Sequence, residues 1–90
     1  MKFEWDTVKA DANFRKHGLS FDEAGSVFFD HLAISGPDPD HSVGEPRFIT
    51  FGMSSLGRLV SVSHSYRPEA IRIISARRMT RTERQIYEET

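Results

Sequence analysis

The chain has no cysteine and no long apolar run, and both absences limit what it can be. Without cysteine it forms neither a disulfide framework nor a zinc–thiolate site, so a reducing cytoplasm is the expected location. No apolar stretch approaches the roughly 20 residues of a membrane span. The N-terminus, MKFEWDTVK, lacks the apolar core of a signal peptide. The sequence also has no P-loop, GxGxxG fingerprint or nucleophile elbow. We therefore expect no membrane partner and no cofactor.

A general excess of positive charge is also missing, since the formal net charge is −1. This balance argues against a protein that coats duplex DNA without sequence preference. The charge is nevertheless uneven. Residues 1–45 hold four Lys/Arg and nine Asp/Glu, a net of −5, whereas residues 46–90 hold eight and four, a net of +4. The asymmetry indicates one local surface that faces anions.

The N-terminal third predicts two capped helices. Asp6 can cap a first helix in TVKADANFRKH, and Gly18 is a natural stop for it. Ser20 and Glu23 form a capping box of the S-x-x-E kind before a second helix in SFDEAGSVFFD, whose apolar residues share one face. The opening KFEWD alternates and suits an edge strand or an extended entry.

The remainder predicts a small sheet and a last helix. HLAIS, at 31–35, is a short strand candidate. Three strands at hairpin spacing follow, over residues 47–53, 58–66 and 70–78. Thr80 and Glu83 form a second capping box, at the start of the C-terminal helix. The expected fold is α+β, with two N-terminal helices, a mostly antiparallel sheet of about four strands and a C-terminal helix, in a single domain over residues 1–90.

Side chains alternate along a strand, so each strand of this sheet presents two rows. In the last strand, regular alternation puts one row on Ile71, Ile73, Ser75 and Arg77. The strand before it carries a row of small hydroxyl residues, Ser61, Ser63 and Ser65. Such a row is typical of a face that is not packed by a bulky core. The register, which decides how the rows of neighbouring strands combine, does not follow from the sequence.

Arginines gather where the last strand ends and the last helix begins. Arg77 and Arg78 close the strand, and Arg81 and Arg84 lie three apart on the helix that Thr80 caps. A helix N-terminus favours anions, and arginine makes forked contacts with phosphate. The cluster is therefore typical of a phosphate site. Surface ion pairs with acidic residues of the N-terminal half are the alternative interpretation.

His64 is the titratable residue best suited to acid–base chemistry, because an unperturbed histidine titrates at about pH 6.5. It lies shortly before Tyr66 and Arg67 in a strand. A single histidine in a strand can also be purely structural, and both interpretations stay open at this point.

The loop DPDHSVGE invites a metal hypothesis. Its possible ligands are Asp38, Asp40, His41 and Glu45. Counted from Asp38, however, the twelfth position of an EF-hand would need Glu and holds Ile49, and no helices flank the loop. We therefore expect no metal site.

Three blocks of the sequence resemble the BrnT toxins of bacterial type II toxin–antitoxin modules. The resemblance follows the order KHG-SF-EA, then DPDHS-GE-RF, then IRIISAR--T--E---Y, and covers nearly the whole chain. BrnT toxins are small ribonucleases related in fold to the RelE superfamily. The resemblance therefore implies a RelE-like fold and an endoribonuclease that cleaves RNA without a metal and inhibits translation and growth.

The resemblance also implies a reaction in which a ribose 2′-hydroxyl attacks its own 3′ phosphate. Such a site needs a proton acceptor, a proton donor and a group that stabilises the extra charge on phosphorus. We assign charge stabilisation to Arg77 and acid–base work to His64, with Arg67 and Tyr87 as further catalytic candidates and Tyr66 as a weaker one. The implied phosphate-binding residues are Arg72, Arg78, Arg81 and Arg84.

The implied partners are RNA and a cognate ribbon-helix-helix antitoxin, BrnA-like, which covers the toxin and binds operator DNA together with it. The antitoxin surface is expected to include the basic face and apolar residues near Phe51 and Met53. The alternative is a non-catalytic module that binds RNA or serves as a corepressor. Expression of the chain alone separates the two, because only an active toxin arrests growth and degrades RNA.

Overall fold

A computed structural model describes residues 1–42 and 44–89. The helices of this part of the chain are α1 (Thr7–His17), α2 (Phe21–Ser26) and α3 (Arg81–Glu88), with 3₁₀ turns at Val27–Phe29 and Pro39–His41. Its strands are β1 (Phe3–Glu4), β2 (Ile34–Pro37), β3 (Phe48–Met53), β4 (Leu59–Tyr66) and β5 (Ile71–Arg78). Within those residues, no helix is both long and apolar enough to cross a membrane.

The strands form one sheet in the order β1-β5-β4-β3-β2. The three long strands make the antiparallel meander that the sequence predicts, and the α+β prediction is confirmed. The sheet has five strands rather than about four, because Phe3 and Glu4 pair in parallel with Ile71 and Arg72. The strand predicted at 31–35 begins later, at Ile34, since the backbone N–H of Ala33 turns back to the carbonyl of Asp30.

The predicted caps of the N-terminal helices are largely confirmed. The Asp6 carboxylate accepts from two backbone N–H groups of α1, and Gly18 ends that helix with a φ of 69°. Ser20 caps α2 by accepting from the N–H of Glu23. The second half of this capping box does not form, because the Glu23 carboxylate turns to Arg58 instead.

The core lies between α1 and α2 and one face of the sheet. Its buried residues are Leu19, Phe21, Ala24, Val27, Val60, Val62, Ile73 and Ala76. The 3₁₀ turn that follows α2 lies against β3 at Gly52, where a Cβ would come within 2.6 Å of Val27 Cγ1. Only glycine therefore allows this close approach.

A bulge in β5 changes the alternation expected from the sequence. Ser63 pairs with Ser75 and His64 with Ile73, so Ile74 is an extra residue between two pairs. Beyond the bulge, Ala76 and not Ser75 continues the core row of Ile73. The prediction that Ile73 and Arg77 share a face was therefore wrong.

The face opposite α1 and α2 is called the outer face below. It carries the side chains of Arg72, Ser75 and Arg77 from β5 and, directly across from them, those of Ser65, Ser63 and Ser61 from β4. The bulge thus brings both arginines to the serine row. Because the guanidinium of Arg77 binds Glu83 of α3, that helix begins on the outer face, at the end of β5.

Candidate functional site

Arg77 makes a forked ion pair with Glu83. Its Nη1 and Nη2 donate to Oε1 and Oε2 over 2.7 and 2.8 Å. Glu83 also closes the predicted capping box of α3, accepting from the N–H of Thr80 at 2.9 Å. The hydrogen bond from Arg77 lowers the pKa of Glu83, and the same bond raises the pKa of Arg77. Both groups are charged at neutral pH, and the Arg77 side chain remains 42% exposed.

The serine row lies beside this pair. Ser61 on β4 is the partner of Arg77 on the neighbouring strand β5, and Ser65 is the partner of Arg72 at the other end of the row. Ser61 and Ser65 are buried nonetheless, whereas Ser63 between them is partly exposed. The Ser65 hydroxyl has no hydrogen-bond partner among the described residues. Of the three hydroxyls, only that of Ser63 belongs to a partly exposed residue, and Ser63 lies between two arginines that can contact phosphate.

The far end of the outer face holds a second group of charges. Arg72 Nη1 donates to Glu4 Oε2 at 3.0 Å. Arg67 binds Glu45 and lies 4.0 Å from the same Glu4 oxygen. Each of these side chains is about one third to two fifths exposed, so the pairs are surface ion pairs that a phosphate can displace at low cost.

Arg78 does not accompany Arg77, because consecutive strand residues point to opposite faces. It lies opposite Val60 and lines a cavity of about 220 Å³ together with Arg58 and Arg84. Arg78, Arg81 and Arg84 are exposed, and none of the three forms an ion pair with another described residue. Of the predicted phosphate-binding residues, Arg72 therefore lies on the outer face and Arg78 and Arg84 line this cavity, whereas Arg81 is not part of its lining.

His64 lies in the core rather than in the site. Its side chain is fully buried, and Nε2 lies 2.7 Å from Thr50 Oγ1. The ring of Phe28 meets the imidazole edge-on at 4.8 Å, and Phe48 stacks on it at 6.1 Å. Burial lowers the pKa of His64 to about 4, so the ring is neutral at pH 7. The geometry opposes the assigned acid–base role, because no RNA atom can reach the ring.

The two tyrosines differ in their surroundings. Tyr87 is 8% exposed, and its hydroxyl donates to Asp30 Oδ2 at 2.5 Å. Burial, together with the Asp30 hydrogen bond, raises the pKa of Tyr87 to about 12. This phenol fastens α3 to the turn after α2. Tyr66 is 54% exposed but packs on Phe48, on the same face as His64.

The acidic loop forms local contacts. Asp38 Oδ2 lies 2.9 Å from His41 Nδ1, and the Ser42 hydroxyl donates to the Asp38 carbonyl. In the parts of the chain that the structure describes, no three side chains of the His, Cys, Asp or Glu kind come together.

Sequence reasoning missed two residues that shape these sites. Glu83 was identified only as a helix cap. It follows Arg77 by six residues, with the end of β5 and the capped start of α3 between them, and this spacing is compatible with an ion pair. Arg58 follows a turn glycine and gave no signal, because its partners Glu23 and Gly18 are more than 30 residues away.

Comparison with known proteins identifies the family. The family described as "Ribonuclease toxin, BrnT, of type II toxin-antitoxin system" matches residues 5–83. Among solved structures, that of the Brucella abortus ribonuclease toxin BrnT matches with a TM-score of 0.69 and 25% sequence identity, covering 90% of this chain and 99% of the other. No curated protein matched. Since the family match spans most of the sequence, this chain belongs to the BrnT family of ribonuclease toxins of type II toxin–antitoxin systems.

Proposed function

We propose that this chain is an endoribonuclease toxin that cleaves RNA without a metal on the outer face, beside Arg77. Cleavage inhibits translation and growth until the cognate antitoxin binds. The observation that carries the proposal is the half-exposed Arg77 guanidinium, held by Glu83 at the end of the serine row. A cation that is oriented in advance and accessible to the ligand stabilises the charge that develops on a phosphate.

In the proposed reaction the 2′-hydroxyl of a ribose attacks the neighbouring phosphorus. The bond to the 5′ oxygen of the next nucleotide breaks, and the proton lost by the 2′-hydroxyl passes through solvent water to that oxygen, leaving a 2′,3′-cyclic phosphate and a free 5′-hydroxyl. Negative charge grows on the two non-bridging oxygens during this step, and a guanidinium can donate to both. Arg77 is assigned this role because arginine is a poor proton acceptor, with a pKa above about 12.

Glu83 is assigned a positioning role. It binds both terminal nitrogens of Arg77 and is itself fixed by the N–H of Thr80. The guanidinium is therefore oriented before RNA binds, and less side-chain entropy is lost in the complex. Arg72 lies roughly 15 Å further along β5, at about 3.3 Å per strand residue, and together with Arg67 it contacts the RNA strand beyond the cleavage point.

Arg77→Ala tests the assignment. We expect wild-type chain expressed alone to arrest growth and degrade RNA, and the variant to lower kcat for RNA cleavage by about 10²-fold, the usual cost of one charge-stabilising donor. Purified protein incubated with single-stranded RNA in EDTA provides the rate, and thermal unfolding reports whether the variant is folded. Arg15→Ala is the matched control, because Arg15 is exposed on α1, across the sheet from the outer face.

Two results would contradict the proposal. Unchanged cleavage by folded Arg77→Ala protein would remove Arg77 from the site. If wild-type chain binds RNA but neither cleaves it nor arrests growth, the non-catalytic RNA-binding or corepressor function is correct instead.

Membership of a type II toxin family implies an antitoxin partner. We propose a ribbon-helix-helix, BrnA-like antitoxin that binds operator DNA together with the toxin. Its docking surface on the toxin is assigned to the apolar groove, defined by the exposed residues Phe29, Leu32 and Met53. Three large apolar side chains around one open groove are typical of a protein interface. The groove adjoins α3, since Asp30 binds both Met53 N–H and Tyr87.

A further inference from the structure

The cavity lined by Arg58, Arg78 and Arg84 is separate from the Arg77 pair and has no role in the proposed reaction step. Gly57, Leu59 and Met79 complete its walls. Its volume of about 220 Å³ is below the roughly 300–1,000 Å³ of pockets that hold whole small molecules. A cavity of this size with arginine walls suits a single phosphate group rather than a nucleotide.

Arg58 is fixed in this cavity before any ligand arrives. Its Nε donates to Glu23 Oε2 at 2.8 Å, and its Nη2 donates to Glu23 Oε1 and to the carbonyl of Gly18. Glu23 is itself buried and accepts a third hydrogen bond, from Ser54 Oγ at 2.7 Å. The two N–H groups of Arg58 Nη1 donate to no described residue. A guanidinium held in this way keeps a free pair of donors in a constant direction.

The charges around the cavity do not cancel. The three arginines face one carboxylate, that of Glu23, whose pKa is lowered chiefly by the hydrogen bond from Arg58 and also by the charge of Arg78. Two positive charges therefore remain in excess. Arg78 and Arg84 are exposed and unpaired among the described residues, so a phosphate that binds them displaces no carboxylate. In this respect Arg78 and Arg84 differ from Arg67, Arg72 and Arg77, each of which forms an ion pair with a glutamate.

We infer that this cavity is a phosphate anchor for the RNA strand, in which Arg58, Arg78 and Arg84 bind one backbone phosphate outside the cleavage point. The inference rests on the proposed function for its ligand. Glu83, which orients Arg77, is the residue directly before Arg84 on α3, so a strand bound at Arg77 can continue into the cavity. The anchor therefore contributes to RNA affinity and register, while Arg77 acts on the chemical step.

The test measures binding separately from cleavage. The probe is a fluorescent single-stranded RNA oligonucleotide with 2′-O-methyl groups, which cannot undergo attack by its own 2′-hydroxyl. Fluorescence anisotropy at several KCl concentrations gives Kd and its salt dependence.

We expect Arg84→Ala to raise Kd about tenfold at low salt and to reduce the slope of log K against log salt by about 0.7, the value for one phosphate contact on a single strand. The double variant Arg78→Ala/Arg84→Ala should raise Kd further. Arg58 is left intact, because its removal would leave the buried Glu23 carboxylate without its ion-pair partner.

Arg15→Ala serves as the control for a general loss of charge, and its Kd and slope should equal those of the wild type. With unmodified RNA, Arg84→Ala should raise KM with little change in kcat, the reverse of Arg77→Ala. Wild-type Kd and slope in the double variant would overturn the anchor, as would an equal loss in Arg15→Ala. If the wild type cleaves no RNA but the Arg84 effect on the uncleavable probe remains, the anchor stands and the proposed catalysis fails.

Discussion

At the scale of single residues, His64 shows how strongly environment decides the role of a side chain. The sequence offered it as an acid–base group two positions before an exposed tyrosine. The fold instead places its imidazole in the core, bonded to Thr50, whose hydroxyl also bonds Ser35 at 2.7 Å. Nδ1 has no partner among the described residues. A proton on this ring would place an unpaired charge among aromatic rings, so the fold stabilises the neutral form.

The lowered pKa of His64 predicts a pH-dependent stability. Between about pH 6.5 and about pH 4 the unfolded chain binds a proton at His64 that the folded chain does not. The stabilisation is therefore complete above pH 6.5 and falls as the pH drops towards 4. The free energy of unfolding should decrease by about 2 kcal/mol between pH 7 and pH 5 from this residue alone. Urea denaturation at both pH values measures it.

His64→Gln provides the comparison, since glutamine can still bond Thr50 but does not titrate. We expect the variant to be less stable than the wild type at pH 7 and to lose less stability on going to pH 5. An equal loss in both proteins would show that His64 does not carry the effect.

At the scale of elements, the order of helices and strands could be predicted because it depends on local signals. Caps at Asp6, Ser20 and Thr80 and the turn spacing of the meander are readable in short windows. The bulge at Ile74 was not predictable, because nothing in the sequence of Ile73, Ile74 and Ser75 indicates which of the three residues has no partner on β4. That one residue decides whether Arg77 faces the core or the serine row. The arginine cluster was thus predicted in position but not in orientation.

Helix α3 carries Glu83 and Arg84, and its attachment should depend on Tyr87. Tyr87→Phe keeps the buried ring and removes the hydrogen bond to the Asp30 carboxylate, which is worth about 1.5–3 kcal/mol. We expect a lower thermal midpoint and, at temperatures where the variant is fully folded, RNA cleavage within a fewfold of wild type. Loss of cleavage without loss of stability would instead show that Tyr87 is catalytic, as the sequence analysis assigned it.

At the scale of the whole molecule, the charge asymmetry of the sequence is partly neutralised by the fold. Arginines of the basic half bind Glu4, Glu23 and Glu45 of the acidic half. Surface ion pairs therefore occupy Arg67 and Arg72, and Arg58 is paired with the buried Glu23, while Arg78, Arg81 and Arg84 keep their charge available. The unpaired arginines gather at one end of the sheet, where β5 leads into α3, and this end is where RNA steering by charge should be strongest.

The same end of the molecule adjoins the apolar groove, so one antitoxin can cover both. Leu32 is 65% exposed in the groove, and a charge there should disturb binding without disturbing the fold. We predict that Leu32→Asp keeps full toxicity when expressed alone but is no longer rescued by co-expressed antitoxin. Phe14→Asp is the matched control, because Phe14 is 56% exposed in a different groove, beside α1, and should still be rescued. Growth curves and co-purification of the tagged antitoxin measure both. Full rescue of Leu32→Asp would place the antitoxin elsewhere, and failure of both variants would point to a general effect of added negative charge.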